Sequence, residues 1–411
     1  MAEDAMAMAG GTRSWTARAD SVAAVEMELG RIWGAAAGES RRAHLSAQGL
    51  AASLGDPHLA GRLDVIGDVG VSMRTSVLTL VVVAERPETE QRVLGAIGRL
   101  AARHPSRTII LAPGDPDGPA HFDARIFADC RIAQRSGAES CTERILLRTG
   151  GEADQHLSNL VQPLLIHDLP VLLWWPDHPP FGRPRFEGLV GSCDRLLVDT
   201  TAFRDDGGAG FAALGALGER LGRNVHDIGW MRIRPWRELL ASLFDGPLMA
   251  AELGHAATLR IDVVGRAGHL RPALAILYAG WLAAALGWHV AAPLGAGDAG
   301  TLEGCFRAGR RTVKFEVRPV KGPAGERSMA GAMEAVELTL ERPGWQGLAS
   351  IVRSDDHLMA TATDARAVLA RRAAPIDPAD DAHDLAAALE QGGPDRMLGR
   401  AIAVAAELLG G

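Results

Sequence analysis

The sequence predicts an α/β N-terminal domain with a mainly parallel or mixed sheet, followed by an α+β C-terminal domain with a largely antiparallel sheet. Three observations carry this expectation. Val171 to Trp175, VLLWW, is apolar at every position, as a strand covered on both faces should be. Val77–Val83, a helix opening at Glu88, and Thr108–Leu111 form a strand-helix-strand unit with the length of a parallel, right-handed crossover. Beyond residue 258, one apolar helix pattern leads into a series of short strand patterns divided by Gly and Pro turns, the signature of an antiparallel sheet with helices on one face. At 411 residues the chain exceeds one ordinary core. It divides on this reading into a flexible arm (1–20), an α/β domain (21–247) and an α+β domain (248–411).

Each element follows from local pattern. Asp20-Ser21 form an N-cap pair, and Val22, Val25, Leu29, Ile32 and Trp33 follow at helical spacing, predicting a helix over 21–36. Residues 38–70 have weak periodicity and read as loop, short helix and a poor strand. Glu88 and Glu90 begin a helix on the side the dipole prefers, and Pro105 ends it. Arg125–Ala133 and Glu143–Arg148 read as two strands able to pair as a hairpin with a long loop. A helix over 154–166 carries Leu157, Leu160, Val161, Leu164 and Leu165 on one stripe, and Pro163 should kink or shorten it. After the VLLWW strand come a strand at 195–199, a loop at 204–210 and a helix at 211–222. In DIGWMRIRPWRELLASLFD (227–245), Pro235 suits the first turn of a helix whose face is Trp236, Leu239, Leu240 and Leu243. The second domain opens with a strand at 258–264 and a helix at 272–286. Strands follow near 288–293, 301–308, 311–319, 334–341, 348–354 and 357–363, then helices at 382–391 and 394–408. Thr301–Ala308 and Thr312–Arg318 read as a hairpin across Gly309-Arg310.

Composition excludes several function classes. A net charge of −7 and a pI near 6.0 lack the basic field that phosphate backbones require, so no nucleic-acid partner is expected. Cys130, Cys141, Cys193 and Cys305 show no CxxC spacing, which fits a reducing cytosol better than a disulfide framework or zinc site. The first twenty residues lack an apolar signal core, so a cytoplasmic location is expected. Residues 272–297 carry no formal charge, but the helical part, about fifteen residues, spans only about 22 Å of a roughly 30 Å hydrocarbon core. A buried helix is the expectation, with no membrane partner.

No catalytic, cofactor or metal motif stands out: HExxH, Walker A, GxSxG and EF-hand loops are absent. Gly295–Gly300, GAGDAG, has dinucleotide spacing but precedes a strand pattern and reads as a turn. The site candidates are instead partner-binding. Asp177 and His178 follow the VLLWW strand at its carboxyl end, the rim where open α/β sheets bind. Trp174 and Trp175 must point to opposite faces, so one can be core and the other available at a surface. Asp168 reads as a turn or cap before Pro170. Arg232, Arg234 and Arg237, with Trp230 close by, cluster at a helix start, against its dipole. Such a group is either solvated and internally paired or meets an anionic ligand or acidic surface. Trp and Arg at an exposed rim are favoured anchors for a protein partner.

A resemblance follows from longer stretches. RTSVLTLVVV followed by RHPSRTIIL (74–111), Cys130 with CTERI (141–145), LLIHDLPVLLWWPDHPP (164–180), DIGWMRIRPWREL (227–239) and GWLAAALGW (280–288) resemble, in order, the OpcA family of glucose-6-phosphate dehydrogenase assembly proteins. The resemblance implies a non-catalytic partner that binds glucose-6-phosphate dehydrogenase, promotes its active oligomer and supports the oxidative pentose phosphate pathway. It implies no cofactor, and it leaves open whether an anionic metabolite also binds. The alternative from the residues themselves is a sugar-phosphate sensor or enzyme using the 168–178 rim and the Arg232–Arg237 cluster.

Overall fold

In the computed structural model the described residues are 7–9, 12–34, 73–74, 76–101, 103–132, 139–204, 208–222, 224–266, 269–322, 330–354, 356–376 and 381–411. The elements expected over 38–70 lie outside them. The chain forms two compact units, Met1–Pro176 with Gly182–Leu196, and Asp177–Phe181 with Leu197–Gly411. The division falls inside a strand, about fifty residues before the expected boundary. Its cause is that the helices after residue 208 pack with the C-terminal helices, described below.

The first unit is built on a mixed sheet. Its strands are β1 (Ala7–Ala9), β2 (Thr12–Ala19), β3 (Met73–Arg74), β4 (Thr79–Val83), β5 (Arg107–Pro113), β6 (His121–Ile132), β7 (Glu139–Gly150), β8 (Val171–Trp175) and the start of β9 (Arg195–Val198). Their order is β1-β2-β6-β7-β5-β4-β8-β9, with β3 beside β7. β4 runs parallel to β5 and β8, and β5 parallel to β7. The strand-helix-strand reading therefore holds, with α2 (Pro87–Leu100) as the crossover. Val93, Ala96, Ile97 and Leu100 are its buried face, and full burial of a side chain of this size contributes about 1.5–3 kcal/mol. The central strands are closed on both sides: Thr79 to Val83 are all buried.

Three departures are informative. Residues 12–19 are not a flexible arm but pair antiparallel with β6 along their whole length. Helix α1 (22–34) follows directly, with Val25, Leu29 and Ile32 in the core. The helix expected over 154–166 is broken into a turn at Glu152–Gln155, α3 (Leu157–Val161) and a 3-10 turn at Gln162–Leu164. Pro163 lies in the first turn of that last piece, where the lack of an N–H costs nothing. Third, β6 and β7 form the expected hairpin and place Cys130 directly opposite Cys141. The two are joined in a disulfide across a Cα separation of 4.0 Å. Sequence spacing pointed to four free thiols, but an antiparallel pair brings together residues that no CxxC motif would announce. Cys193 and Cys305 are free.

The second unit contains the end of β9, β10 (Val225–Asp227) and an eight-stranded sheet of order β12-β13-β14-β11-β15-β16-β17-β18. These strands are β11 (Ala256–Val264), β12 (His289–Ala296), β13 (Leu302–Ala308), β14 (Arg311–Val320), β15 (Met333–Arg342), β16 (Trp345–Ser354), β17 (His357–Asp364) and β18 (Val368–Pro375). Every pairing is antiparallel except β11 with β14. β18 was not foreseen, because VLARRAAP lacks the alternation of a half-buried strand; it is an edge strand and mostly exposed. Elsewhere period-two burial is plain: Leu259, Ile261 and Val263 point inward while Arg260 and Asp262 do not.

Besides a single turn at Pro247–Ala250, the helices of this unit are α4 to α9. They are α4 (Ala209–Arg220), α5 (Ile228–Arg232), α6 (Arg234–Leu243), α7 (Ala273–Leu286), α8 (Asp381–Glu390) and α9 (Arg396–Leu408). α4 and α7 pack on α9, α5 packs on α8, and α6 lies on β16, β17 and β18. This is why residues 209–243 belong with the C-terminal sheet. The α7–α9 crossing is close: a Cβ on Gly280 would sit 2.5 Å from the Ala401 carbonyl oxygen. α7 is apolar all round, as the sequence suggested, and no described helix is long and apolar enough to cross a membrane.

Candidate functional site

The site candidates fall in both units, and their geometry differs from the exposed rim the sequence suggested. In the first unit Trp174 and Trp175 are both buried. Alternation does send them to opposite faces, but both faces of this strand are covered, so neither is available to a partner. Trp175 stacks edge-on with Phe186, ring centroids 5.1 Å apart. Asp168 is exposed in the turn before β8 and adopts a left-handed backbone with φ of 71°, a conformation Asp tolerates better than most residues. The same unit holds a buried ion pair between Arg107 and Glu143. Arg107 also donates to the Leu164 carbonyl oxygen at 2.8 Å, and Trp33 donates its indole N–H to Glu143.

In the second unit Asp177 is buried and His178 is half-buried. The His178 ring meets Phe181 and Phe203 edge-on, at 6.0 and 5.4 Å, and its Nδ1 accepts the Arg204 backbone N–H at 3.2 Å.

The arginine cluster separates into three different environments. Arg232, at the end of α5, is enclosed by carboxylates from three parts of the unit: Asp199 at 3.2 Å, Asp381 at 2.8 Å and Asp384 at 3.1 Å. Its Nη1 also donates to the Thr201 hydroxyl at 3.0 Å. Burial alone would lower the guanidinium pKa, but Asp199, Asp384 and Asp381 together raise it further. Asp384 feels the same burial, which pushes its carboxyl up to about 6 against the pull of Arg232. Arg234 is exposed and pairs one turn along with Glu238 at 2.7 Å. Arg237 lies over the buried Trp230 ring, 3.5 Å from its centroid, and donates to the Trp230 carbonyl oxygen at 3.2 Å. Burial draws its pKa down to about 10, with Asp395 opposing. Arg232 is thus paired inside the unit, Arg234 is paired at the surface, and Arg237 is held by Trp230.

Sequence reasoning missed the acidic partners. Asp227 is fully buried and takes four donors: the backbone N–H of Thr200, Gly229 and Trp230, and the Thr200 hydroxyl, at 2.8 to 3.1 Å. Burial, reinforced by nearby Asp199, still lifts its pKa to about 6. Asp395 caps α9 through Met397 and Leu398 and accepts the Trp230 indole N–H at 2.7 Å. Burial opposes the Asp395 charge, but its donors hold the pKa below the usual carboxylate value. The available signal was the capping pattern, an Asp directly before each helix. Among the described residues no group of three or more His, Cys, Asp or Glu is arranged to hold a metal ion.

Comparison with known proteins agrees with the resemblance. Residues 98–214 match the model of the glucose-6-phosphate dehydrogenase subunit N-terminal domain, and residues 223–402 match that of the C-terminal domain. A relative from Nostoc punctiforme, provisionally named OxPP cycle protein OpcA, is 32% identical over 192 residues, 46% of this chain and 39% of that protein. One from Synechococcus elongatus, named likewise, is 29% identical over 261 residues, 62% of this chain and 57% of that protein. The matched part thus spans about half the length of these relatives. Among solved structures, the WlbA (WbpB) dehydrogenase from Thermus thermophilus aligns with a TM-score of 0.42 and 14% identity, covering 81% of this chain and 94% of that one. The two domain models cover most of the sequence, and the chain belongs to the OpcA family of glucose-6-phosphate dehydrogenase assembly proteins.

Proposed function

We propose that this chain is a non-catalytic, cytoplasmic assembly factor that binds glucose-6-phosphate dehydrogenase and favours its active oligomer. The observation that carries the reading is the match of both assembly-protein domain models in sequence order. Activation by such a partner requires tighter binding to the active state of the enzyme than to the inactive one. The environments of the conspicuous residues support this over a sugar-phosphate site. The Arg232 fork is occupied by three carboxylates, so it offers no free face to an anion. Trp174, Trp175 and Trp230 are core. Asp168 and Arg234 are the exposed members of the set, and they are the residues through which a partner can be met without unfolding.

The test is to mix the chain with glucose-6-phosphate dehydrogenase from the same organism, following rate against substrate concentration and particle mass by light scattering. A saturable rise in rate together with a larger species is expected. An unchanged rate and no complex, combined with a thermal shift on adding glucose 6-phosphate to this chain alone, would replace the reading with the metabolite-sensor alternative.

A further inference from the structure

We infer that the outer face of the C-terminal sheet is a two-fold interface with a second copy of this chain. This inference is independent of the dehydrogenase reading. The inner face of the sheet is covered: Leu259, Ile261, Val336, Leu338, Ile351 and Ala360 are all buried. The residues between them point the other way, and strand register sets them in rows. One row runs Glu316, Arg260, Glu337, Ser350, Thr361 and Arg371 across β14, β11, β15, β16, β17 and β18. The next runs Arg318, Asp262, Ala335, Val352, Met359 and Ala373.

These two rows divide chemically. On β14 and β11 all four positions are charged, and they balance: Arg260 holds Glu316 at 2.9 Å, and Arg318 holds Asp262 at 2.8 Å. On β15 to β18 only Glu337 and Arg371 of the eight positions are charged, and the others are small or apolar. Val352 is 47% exposed, and Val368, on the same side at the edge, is 64% exposed. A sheet face meant for water usually alternates to charged residues; half of this one does not.

The arrangement of charges specifies the occupant. Consider a two-fold axis crossing the strands midway between the two rows. It lays Arg260 over Asp262 of the partner subunit and Glu316 over Arg318 of the partner subunit. It also lays Val352 over Ser350 of the partner subunit, and Glu337 over Ala335 of the partner subunit. No like charges meet in these rows, and the sparsely charged half meets its own counterpart, with Glu337 and Arg371 each facing an alanine of the partner subunit. Self-complementarity under a two-fold is what an isologous dimer requires, and aligned sheets pack face to face at about 10 Å. An unrelated partner would have no reason to need this mirror relation between adjacent rows.

Sedimentation equilibrium and light scattering of the purified full chain, without dehydrogenase, test the inference. The expected species has twice the 43.4 kDa chain mass. Val352→Glu, placing a carboxylate against uncharged surface, and Ala335→Glu, placing one over Glu337 of the partner subunit, should each raise the dimer Kd about a hundredfold or more. Val352 is exposed and Ala335 half-buried on this face, so the melting temperature should hold within a few degrees. Met27→Glu, at an exposed position in the other unit (70% exposed), should leave the dimer intact. A monomeric wild type, or a dimer that survives both substitutions, overturns the proposal. So does a monomer whose complex with the dehydrogenase is lost in the same two variants, since the face would then belong to that protein.

Discussion

Arg232 and Asp381 are 2.8 Å apart although 149 residues separate them in sequence. With Asp199 and Asp384 on its remaining donors, Arg232 ties the end of β9, α5 and α8 together through one planar group. A lysine ammonium has no fork of this kind. The cluster holds three carboxylates for one cation, so it is stable only while that cation is present.

Arg232→Ala should therefore destabilise the second unit by about 3–5 kcal/mol, the cost of leaving buried charges without their counterion. Denaturant unfolding followed by tryptophan fluorescence would measure it. Arg232→Lys should recover only part of the loss. If Arg232→Ala unfolds like wild type, the cluster is not what holds α8 in place.

Much of the architecture was legible because it rests on local periodicity. VLLWW was read as a covered strand, and the strand over 258–264 was expected where β11 lies. The roles of the polar residues were not legible, because they are set by partners far along the chain. Nothing near Arg232 indicates Asp381, and nothing near Trp230 indicates Asp395. The availability of one of Trp174 and Trp175 was misjudged for a related reason: a strand shows which residues alternate, but not that Phe186 returns to cover Trp175. Cys130 and Cys141 were misjudged because register, not spacing, brings them together.

Trp175→Ala is consequently a core deletion. It should cost about 3–5 kcal/mol, as large-to-small substitutions of buried aromatics do, with a lower thermal midpoint that calorimetry would detect. Loss of dehydrogenase binding in that variant would reflect unfolding. Arg234→Ala, by contrast, removes an exposed pair and should change stability by no more than about 0.5 kcal/mol. A binding defect there would report on the interface itself.

The Cys130–Cys141 disulfide closes a short loop between two strands. Chain entropy for a loop of this length gives about 3 kcal/mol of stabilisation relative to the reduced chain. Thiol titration of the denatured protein should count two free cysteines when it is purified without reductant, and four after reduction. The paired substitution Cys130→Ala/Cys141→Ala should lower stability without reductant and abolish the effect of adding it. A count of four from the outset would show that the hairpin holds by its ladder alone.

Asp227 gives the second unit an unusual response to acid. Burial raises its folded pKa to about 6, above the ordinary aspartate value of 3.8. Between those values the folded chain keeps a proton that the unfolded chain has released, so acidification through about 6 stabilises the fold. That stabilisation is lost as pH rises again through the folded pKa. At about 1.4 kcal/mol per pKa step, the effect is bounded at about 3 kcal/mol. Asp384, also raised to about 6 by burial, acts in the same direction. Unfolding free energy measured from pH 7 down to pH 5 should therefore rise, where salt-bridged carboxylates alone would make it fall. Asp227→Asn removes the titrating group and sacrifices some of its four donors. It should be less stable than wild type at pH 7 and show a visibly flatter slope between those pH values. An unchanged slope would mean that the four donors keep Asp227 ionised in spite of its burial.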